Sequence, residues 1–305
     1  MTRAIRAVLR IAIASGAVAC SDKTPSAPDL QIPTPPSEKP EPTQKPFTNQ
    51  EIAYIVGDGR LMLMKLDGSA VALAVGWTPA WSPDGAQLVF SDTQCDTDWE
   101  TYLNCDRGGL KIMNPETREV TSPAGGASGE DPAWSPSGDM IAFVRLTEGA
   151  RHLFVMRPDG TELREIALPG ISEAFRPAWS PDGRRIAFQC SMSSSWRICA
   201  VNSDGTELSV LARSGFSPAW SPDGSRIAFT VSSRTSSAIN VMEADGSGVT
   251  HVTDGFSPAW SSDGSKLVFS RDYDGLFMID LDGSTPTRLT TGGYSPALRP
   301  KRASP

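Results

Sequence analysis

A seven-residue repeat constrains the fold of this chain more than any other feature. The sequence Pro-Ala-Trp-Ser-Pro-Asp-Gly occurs three times, at Pro79–Gly85, Pro177–Gly183 and Pro218–Gly224. Two variants occur at Pro132–Gly138 and Pro258–Gly264, with Ser137 in place of Asp and Ser262 in place of the second Pro. Successive tryptophans are 53, 45, 41 and 40 residues apart. A repeat of this length with short apolar runs and turn residues is typical of β-propeller blades.

Each copy of the repeat predicts a β-hairpin. Pro presets the first central φ angle of a type I turn, Asp tolerates the second position, and Gly supplies the positive φ that follows. An apolar triplet ending in Phe comes next, as in Ile227-Ala228-Phe229. Alternation places its two large residues on one face and the small residue on the other. Such a pattern suits sheets that are covered on both sides.

A second hairpin follows each repeat, usually with an Asp-Gly turn, so one unit supplies four strands. Five units are continuous. The sixth is split: Tyr294–Pro300 resembles the start of the repeat with Leu298 in the Trp place, and its remaining strands lie near residues 51–73. We therefore predict an all-β, six-bladed propeller over residues 50–300, with four-stranded antiparallel blades. Pairing of residues 51–56 with 295–299 closes the last blade and removes an exposed sheet edge.

These repeats resemble the TolB-type propeller repeat, a WD-repeat-like family of bacterial periplasmic proteins. The resemblance covers roughly residues 50–300 and not the separate N-terminal α/β domain of TolB, for which the sequence has no room. It implies a non-enzymatic envelope protein that acts as a scaffold for protein partners and binds them through the channel face of the propeller.

The residues before the propeller predict export. Residues 1–19 carry three arginines and a short apolar run, which indicates a secretory signal and not a membrane span. Ala17-Val18-Ala19-Cys20 resembles a lipoprotein cleavage box, so we expect a lipid on Cys20; ordinary cleavage is the alternative. Residues 20–49 contain eight prolines and predict a disordered tether, and residues 301–305 are a tail. Whether the anchoring membrane is the inner or the outer one stays open.

The charge of the chain limits its partners. The formal net charge is −7 and becomes −10 without the three arginines of the leader. An acidic surface disfavours nucleic acid and electrostatic docking on anionic lipid, and favours a basic protein or a cation. We expect a monomeric propeller with no cofactor.

Four cysteines remain beyond Cys20, as expected in an oxidising compartment. The economical pairing is Cys95 with Cys105 and Cys190 with Cys199, one of three possible pairings. A zinc site is the weaker alternative, since no CxxC spacing occurs.

Three features predict a partner-binding surface where the first strands begin. The first is a set of residues two places before the repeat Pro: Trp77, Glu130, Phe175, Phe216, Phe256 and Tyr294. The second is the variable position directly before that Pro, with Asp131 and Arg176 in two of the units. The third is an acidic insertion, residues 92–109, that contains Trp99 and Tyr102. Packing between blades is the alternative role for the aromatic set, since simple alternation places Phe216 on one strand face with Pro218 and Trp220.

Sequence features of catalysis are weak. His152 and His251 fall in different blades, no G-x-S-x-G elbow occurs, and no turn satisfies the calcium-loop pattern. We expect no catalytic residue and no metal site. The alternative is a carbohydrate- or cell-wall-binding protein that stacks sugars on the aromatic set, or a lyase or hydrolase that uses Glu130 and Asp131 with Arg176 in the channel.

Overall fold

The structure is a computed structural model, and it describes residues 50–300 apart from 58, 93–108, 125–127, 194, 272–273 and 283. The described residues form six four-stranded antiparallel sheets arranged as propeller blades. This confirms the predicted fold class. We number the blades in the order of the repeats and give the split blade the number 6.

The strand bounds follow the repeats. Blade 1 contains β4 (Trp77–Trp81), β5 (Leu88–Ser91), β6 (Leu110–Met113) and β7 (Val120–Thr121). Blade 2 contains β8 (Gly129–Trp134), β9 (Ile141–Thr147), β10 (Ala150–Met156) and β11 (Arg164–Glu165). Blade 3 contains β12 (Glu173–Trp179), β13 (Arg185–Met192), β14 (Ser195–Asn202) and β15 (Ser209–Ala212).

The remaining blades keep the same order from the channel outward. Blade 4 contains β16 (Phe216–Trp220), β17 (Arg226–Ser232), β18 (Ser237–Glu243) and β19 (Thr250–Asp254). Blade 5 contains β20 (Phe256–Trp260), β21 (Lys266–Arg271), β22 (Gly275–Asp280) and β23 (Thr287–Arg288). Blade 6 contains β24 (Tyr294–Leu298), β1 (Ile52–Val56), β2 (Arg60–Met64) and β3 (Ala70–Val75).

The two ends of the propeller meet in blade 6, as the sequence predicts. Strands β1 and β24 pair antiparallel, with Ile52 opposite Leu298 and Ala53 opposite Ala297. The Arg299 guanidinium reinforces the closure: it forms an ion pair with Glu51, donates to the Gly85 carbonyl at 2.7 Å and lies 4.7 Å from the Trp81 ring. The closing strands are therefore tied to each other and to blade 1.

The core consists of one apolar cluster at each blade interface. In every cluster, the two large residues of one second strand pack against the middle residue, Ala or Val, of the second strand in the preceding blade. Ile227 and Phe229 of blade 4, for example, pack with Ala187 of blade 3, and Ala228 packs with the next blade. The same arrangement recurs at all six interfaces. The large-and-small alternation in the triplets is thus what stacks the sheets radially.

The repeat forms the predicted turn between the first and second strands. In blade 4, Gly224 N–H donates to the Ser221 carbonyl at 2.9 Å, and Gly224 has a φ of 73°. The Ser221 hydroxyl donates to Asp223 at 2.6 Å and accepts from the Arg226 N–H at 2.9 Å. These bonds explain why Ser and Asp accompany Pro and Gly in the repeat.

Candidate functional site

A β-bulge in every innermost strand creates the candidate site. The pairing register shifts between the residue two places before the repeat Pro and the Ala that follows that Pro, as between Phe216 and Ala219. Pro has no N–H to give to a ladder, so the strand places two residues opposite one. The residue directly before the Pro has a positive φ in all six blades, between 47° and 52°. Simple alternation does not hold across this bulge, so the expected common face for Phe216, Pro218 and Trp220 is wrong.

The bulges place six side chains in the central channel, which has a volume of about 370 Å³. We call them the channel-mouth residues: Thr78, Asp131, Arg176, Ser217, Ser257 and Ser295. The rest of the lining is mostly the Pro and Ala of the repeats, with several of the tryptophans. An apolar, repeated frame thus presents one variable polar side chain from each blade.

Asp131 and Arg176 form the charged part of the channel. Asp131 Oδ2 accepts the Arg176 backbone N–H at 3.1 Å, and Asp131 Oδ1 lies 3.8 Å from Arg176 Nε. The Arg176 side chain crosses the channel, and Nη1 donates to the Ser295 hydroxyl of blade 6 at 3.4 Å. The Arg176 side chain is 37% exposed and that of Asp131 is 14% exposed. The guanidinium is therefore the more accessible charge.

Hydroxyl groups occupy the other four positions. Thr78 Oγ1 lies 3.2 Å from the Ser91 hydroxyl, and the Ser257 N–H donates to Thr230 Oγ1 at 3.1 Å. Within the described residues, the hydroxyls of Ser217 and Ser257 have no hydrogen-bond partner. They are available to a ligand in the channel.

The predicted aromatic set lies outside the channel lining and is half-buried. Trp77 and Tyr294 contact each other across the boundary of blades 1 and 6, with ring centroids 6.2 Å apart. Phe175 and Phe216 contact Trp196, at 5.3 and 6.4 Å. The structure thus brings the aromatic residues together in two groups, while Phe256 has no ring contact among the described residues.

Glu130 takes the place of an aromatic residue in blade 2 and forms an ion pair. Arg151 Nε donates to Glu130 at 2.8 Å, lies near Glu173 and places its guanidinium 5.1 Å from the Phe175 ring. Trp196, Arg151 and Glu173 are absent from the sequence-based prediction. The signal for Trp196 was a bulky aromatic residue in a Ser-rich hairpin beside the predicted set.

The two histidines lie far out on their blades. His152 Nδ1 is 2.7 Å from Glu165, and His251 Nε2 is 3.8 Å from Asp254. Both side chains are exposed, at 38% and 59%. No group of three His, Cys, Asp or Glu side chains able to hold a metal ion occurs in the described part of the chain.

The Asp-Gly turns have a structural role. Asp159 accepts from the backbone N–H and the hydroxyl of Thr161, at 2.9 and 2.6 Å. These hydrogen bonds hold the pKa of Asp159 below its ordinary value. In the other Asp-Gly turns, the Oδ1 of Asp204, Asp245 and Asp282 likewise accepts a backbone N–H of its own turn.

Cys190 and Cys199, a pair expected from the sequence, form a buried disulfide between β13 and β14, with Cα atoms 5.9 Å apart. Cys20, Cys95, Cys105, Trp99 and Tyr102 lie outside the described residues.

Across the residues that are described, none of the helices is sufficiently long and apolar to cross a membrane.

Fold and channel together define a closed six-bladed propeller whose variable polar residues line the channel. The family model described as the TolB beta propeller domain matches residues 50–215, more than half of the chain. The chain belongs to this TolB β-propeller family.

Curated relatives match over a short part of their length. A TolB homolog of Chlorobium luteolum is 33% identical over 93 residues, which is 30% of this chain and 19% of that protein. The dipeptidyl-peptidase 5 of Porphyromonas endodontalis is 31% identical over 97 residues, 29% of this chain and 13% of that protein. The matches thus span less than a fifth of either relative.

Solved structures share the fold over most of the chain. TolB from Acinetobacter baumannii has a TM-score of 0.69 at 18% identity, covering 83% of this chain and 67% of that one. A TolB structure from Agrobacterium tumefaciens has a TM-score of 0.63 at 22% identity, covering 81% and 91%. An oligogalacturonate lyase from Vibrio parahaemolyticus has a TM-score of 0.55 at 16% identity, covering 76% and 74%. At these identities the likeness concerns the fold alone.

Proposed function

We propose that this protein is a non-enzymatic scaffold of the bacterial envelope that binds protein partners at the channel mouth. The proposal rests on the contrast between the constant Pro and Ala residues of the channel lining and the variable channel-mouth residues. Pro and Ala line the channel in every blade, whereas the channel-mouth residues include an acid, a base and four hydroxyls. A constant frame with variable polar groups at strained, positive-φ positions is an arrangement suited to recognition.

Membership of the TolB family supports an exported protein, and we propose that it is periplasmic or on the cell surface. A lipid on Cys20 anchors it, and residues 20–49 hold the propeller away from the membrane. Fractionation tests this part: the protein follows the membrane fraction, and Cys20→Ala moves it to the soluble periplasmic fraction. A Cys20→Ala protein that stays with the membrane contradicts lipid anchoring.

Partner capture from envelope extract tests the scaffold role. The informative variant is Asp131→Ser with Arg176→Ser, because Ser already occupies this position in blades 4, 5 and 6 and the backbone tolerates it there. We expect a stoichiometric protein partner with the wild type and its loss with the double variant. Arg184→Ser is the matched control, an exposed residue in the turn that follows β12. A partner lost equally with the control, or no partner at all, contradicts the proposal.

A carbohydrate-binding or lyase-like role is the second candidate, favoured by one observation. Phe175, Trp196 and Phe216 lie in contact beside Arg151, whose carboxylate partners are Glu130 and Glu173. Aromatic rings next to carboxylates suit the apolar face and hydroxyls of a sugar. A glycan array with the wild type and Trp196→Ala separates the candidates: binding lost with Trp196→Ala supports this role, and no glycan binding rejects it.

A further inference from the structure

The Arg176 guanidinium is poorly satisfied for a charged group inside a channel. It offers five N–H donors. Among the described residues, one donor reaches an acceptor, the Ser295 hydroxyl at 3.4 Å, and the Asp131 carboxylate lies 3.8 Å from Nε. Ion pairs of arginine with carboxylate are short and often bidentate when fully formed. The contacts of Arg176 are longer than that, so the guanidinium keeps donors available.

The Asp131 carboxylate lies beside the Arg176 guanidinium but forms no direct hydrogen bond with it. Its Oδ2 accepts the backbone N–H of Arg176, which braces the bulge of blade 3. Its side chain is less exposed than that of Arg176. A cation in the channel would lie near the Arg176 guanidinium as well as the Asp131 carboxylate. The guanidinium would repel it.

Two further hydroxyls that line the same channel suit a carboxylate. The hydroxyls of Ser217 and Ser257 belong to the two blades between Arg176 and Ser295, and both are free to donate to an anion. One guanidinium matches one negative charge, whereas a dianion would meet stronger repulsion from Asp131. The channel, at about 370 Å³, has room for a carboxylate and part of the chain that bears it.

From this geometry we propose that the channel mouth is a carboxylate site, in which Arg176 binds the carboxylate and Ser217 and Ser257 donate to it. The site rests on the proposed function, because it names the group by which a protein partner is recognised. That group is the side chain of an Asp or Glu, or a free C-terminus. Asp131 positions Arg176 and competes with the ligand.

The test is an NMR titration of the arginine Nε–H signals of the full-length protein. The probes are Ac-Gly-Glu-Gly-amide, Ac-Gly-Gly-Gly with a free C-terminus, the uncharged Ac-Gly-Gln-Gly-amide, and inorganic phosphate. We expect the Arg176 signal to shift and saturate with one or both carboxylate peptides, and not with the Gln peptide. The peptide that saturates at the lower concentration identifies the source of the carboxylate. No saturable shift, an equal shift with the Gln peptide, or tighter binding of phosphate overturns the proposal.

Three variants make the test specific. Arg176→Ser weakens carboxylate binding at least about tenfold, because the charge-assisted pair is lost. Asp131→Asn keeps an acceptor for the Arg176 N–H but removes the competing charge, and Asn tolerates positive φ, so it tightens binding by about threefold or more. Arg184→Ser leaves binding unchanged. Weaker binding in Asp131→Asn with an unchanged melting temperature contradicts the competitor role.

The outcome separates this proposal from the scaffold role. Capture of a partner that Arg176→Ser does not weaken, while other channel-mouth substitutions do, retains the scaffold and rejects the carboxylate site. Saturable peptide shifts without any captured partner retain the carboxylate site and reject the scaffold.

Discussion

At the scale of single residues, the fold lowers the pKa values of several aspartates in the turns. Asp223 accepts hydrogen bonds from the Ser221 hydroxyl and from the backbone and hydroxyl of Ser225, which lower its pKa to about 2. Asp139, Asp182 and Asp204 have pKa values lowered by the same kind of hydrogen bond. A carboxylate with a lowered pKa stabilises the folded state above its ordinary pKa, and this contribution is lost as the pH falls through the folded value.

We therefore predict that the free energy of unfolding is constant near neutral pH, declines below about pH 4 and continues to fall toward pH 2. Urea denaturation across this range checks the prediction. Ser225→Ala removes one hydroxyl donor and keeps the backbone donor, so it raises the pKa of Asp223, measured by NMR. An unchanged Asp223 pKa in Ser225→Ala would show that the hydroxyl has no such role.

Arg299 is the second residue with a predicted effect. Its side chain is 13% exposed and contacts Glu51, Glu116 and the Gly85 carbonyl. Arg299→Met leaves the Glu51 carboxylate partly buried without its partner, which costs about 2–4 kcal/mol of unfolding free energy. Arg213→Met, at an exposed position, is the control. Equal stability of the two variants contradicts the role of Arg299 in closure.

At the scale of elements, strand β1 offers the most direct test, because it closes the ring. Deletion of residues 50–56 removes the strand that pairs with both β24 and β2. We expect a lower melting temperature and formation of oligomers, because two sheet edges become unpaired. Calorimetry and light scattering check both effects. A monomer with an unchanged melting temperature would contradict the split blade.

Strand β3 is the outer edge of blade 6, where an apolar strand could pair with another chain. Its sequence, AVALAV, has no charged residue, and Val75 is 58% exposed. Arg118 of blade 1 donates to the carbonyls of Ala72 and Leu73, at 2.8 and 3.2 Å. A long cation on an apolar edge disfavours pairing with another chain.

We predict that Arg118→Ala promotes self-association without a large loss of stability, since Arg118 is exposed. Static light scattering over a concentration series measures this, with Arg213→Ala as the control. The prediction fails when Arg118→Ala scatters like the control at every concentration.

Sequence patterns predict the elements of this protein well where the interactions are local. The Ser-Pro-Asp-Gly turns and the Ile-Ala-Phe triplets have short-range physical causes, and both appear as expected. The bulge before the repeat Pro was missed, although a Pro inside a strand is itself a signal of irregular pairing. Arg299 and Glu51 were missed because they are far apart in sequence and meet through closure of the ring.

At the scale of the whole molecule, the channel mouth depends on all six blades. Sequence position identifies Asp131 and Arg176 as candidates, but not that Arg176 crosses to Ser295 on the opposite blade. The sequence also presents the aromatic residues as one set, whereas ring contacts join Trp77 to Tyr294, and Phe175 and Phe216 to Trp196. The second of these contacts could not be predicted from the repeat, because Trp196 lies outside the repeat positions.

Site-specific photo-crosslinking in cells tests the central claim, that partners bind at the channel mouth. A photoreactive phenylalanine analogue replaces Thr78 or Ser217 on the channel mouth, so that Arg176 is kept, and Arg184 or Ser225 in the turns after the first strands. Partner binding at the channel mouth predicts a discrete crosslinked protein from the two channel-mouth positions and none from the turns. Crosslinks from the turns alone, or from none of the four positions, would contradict it.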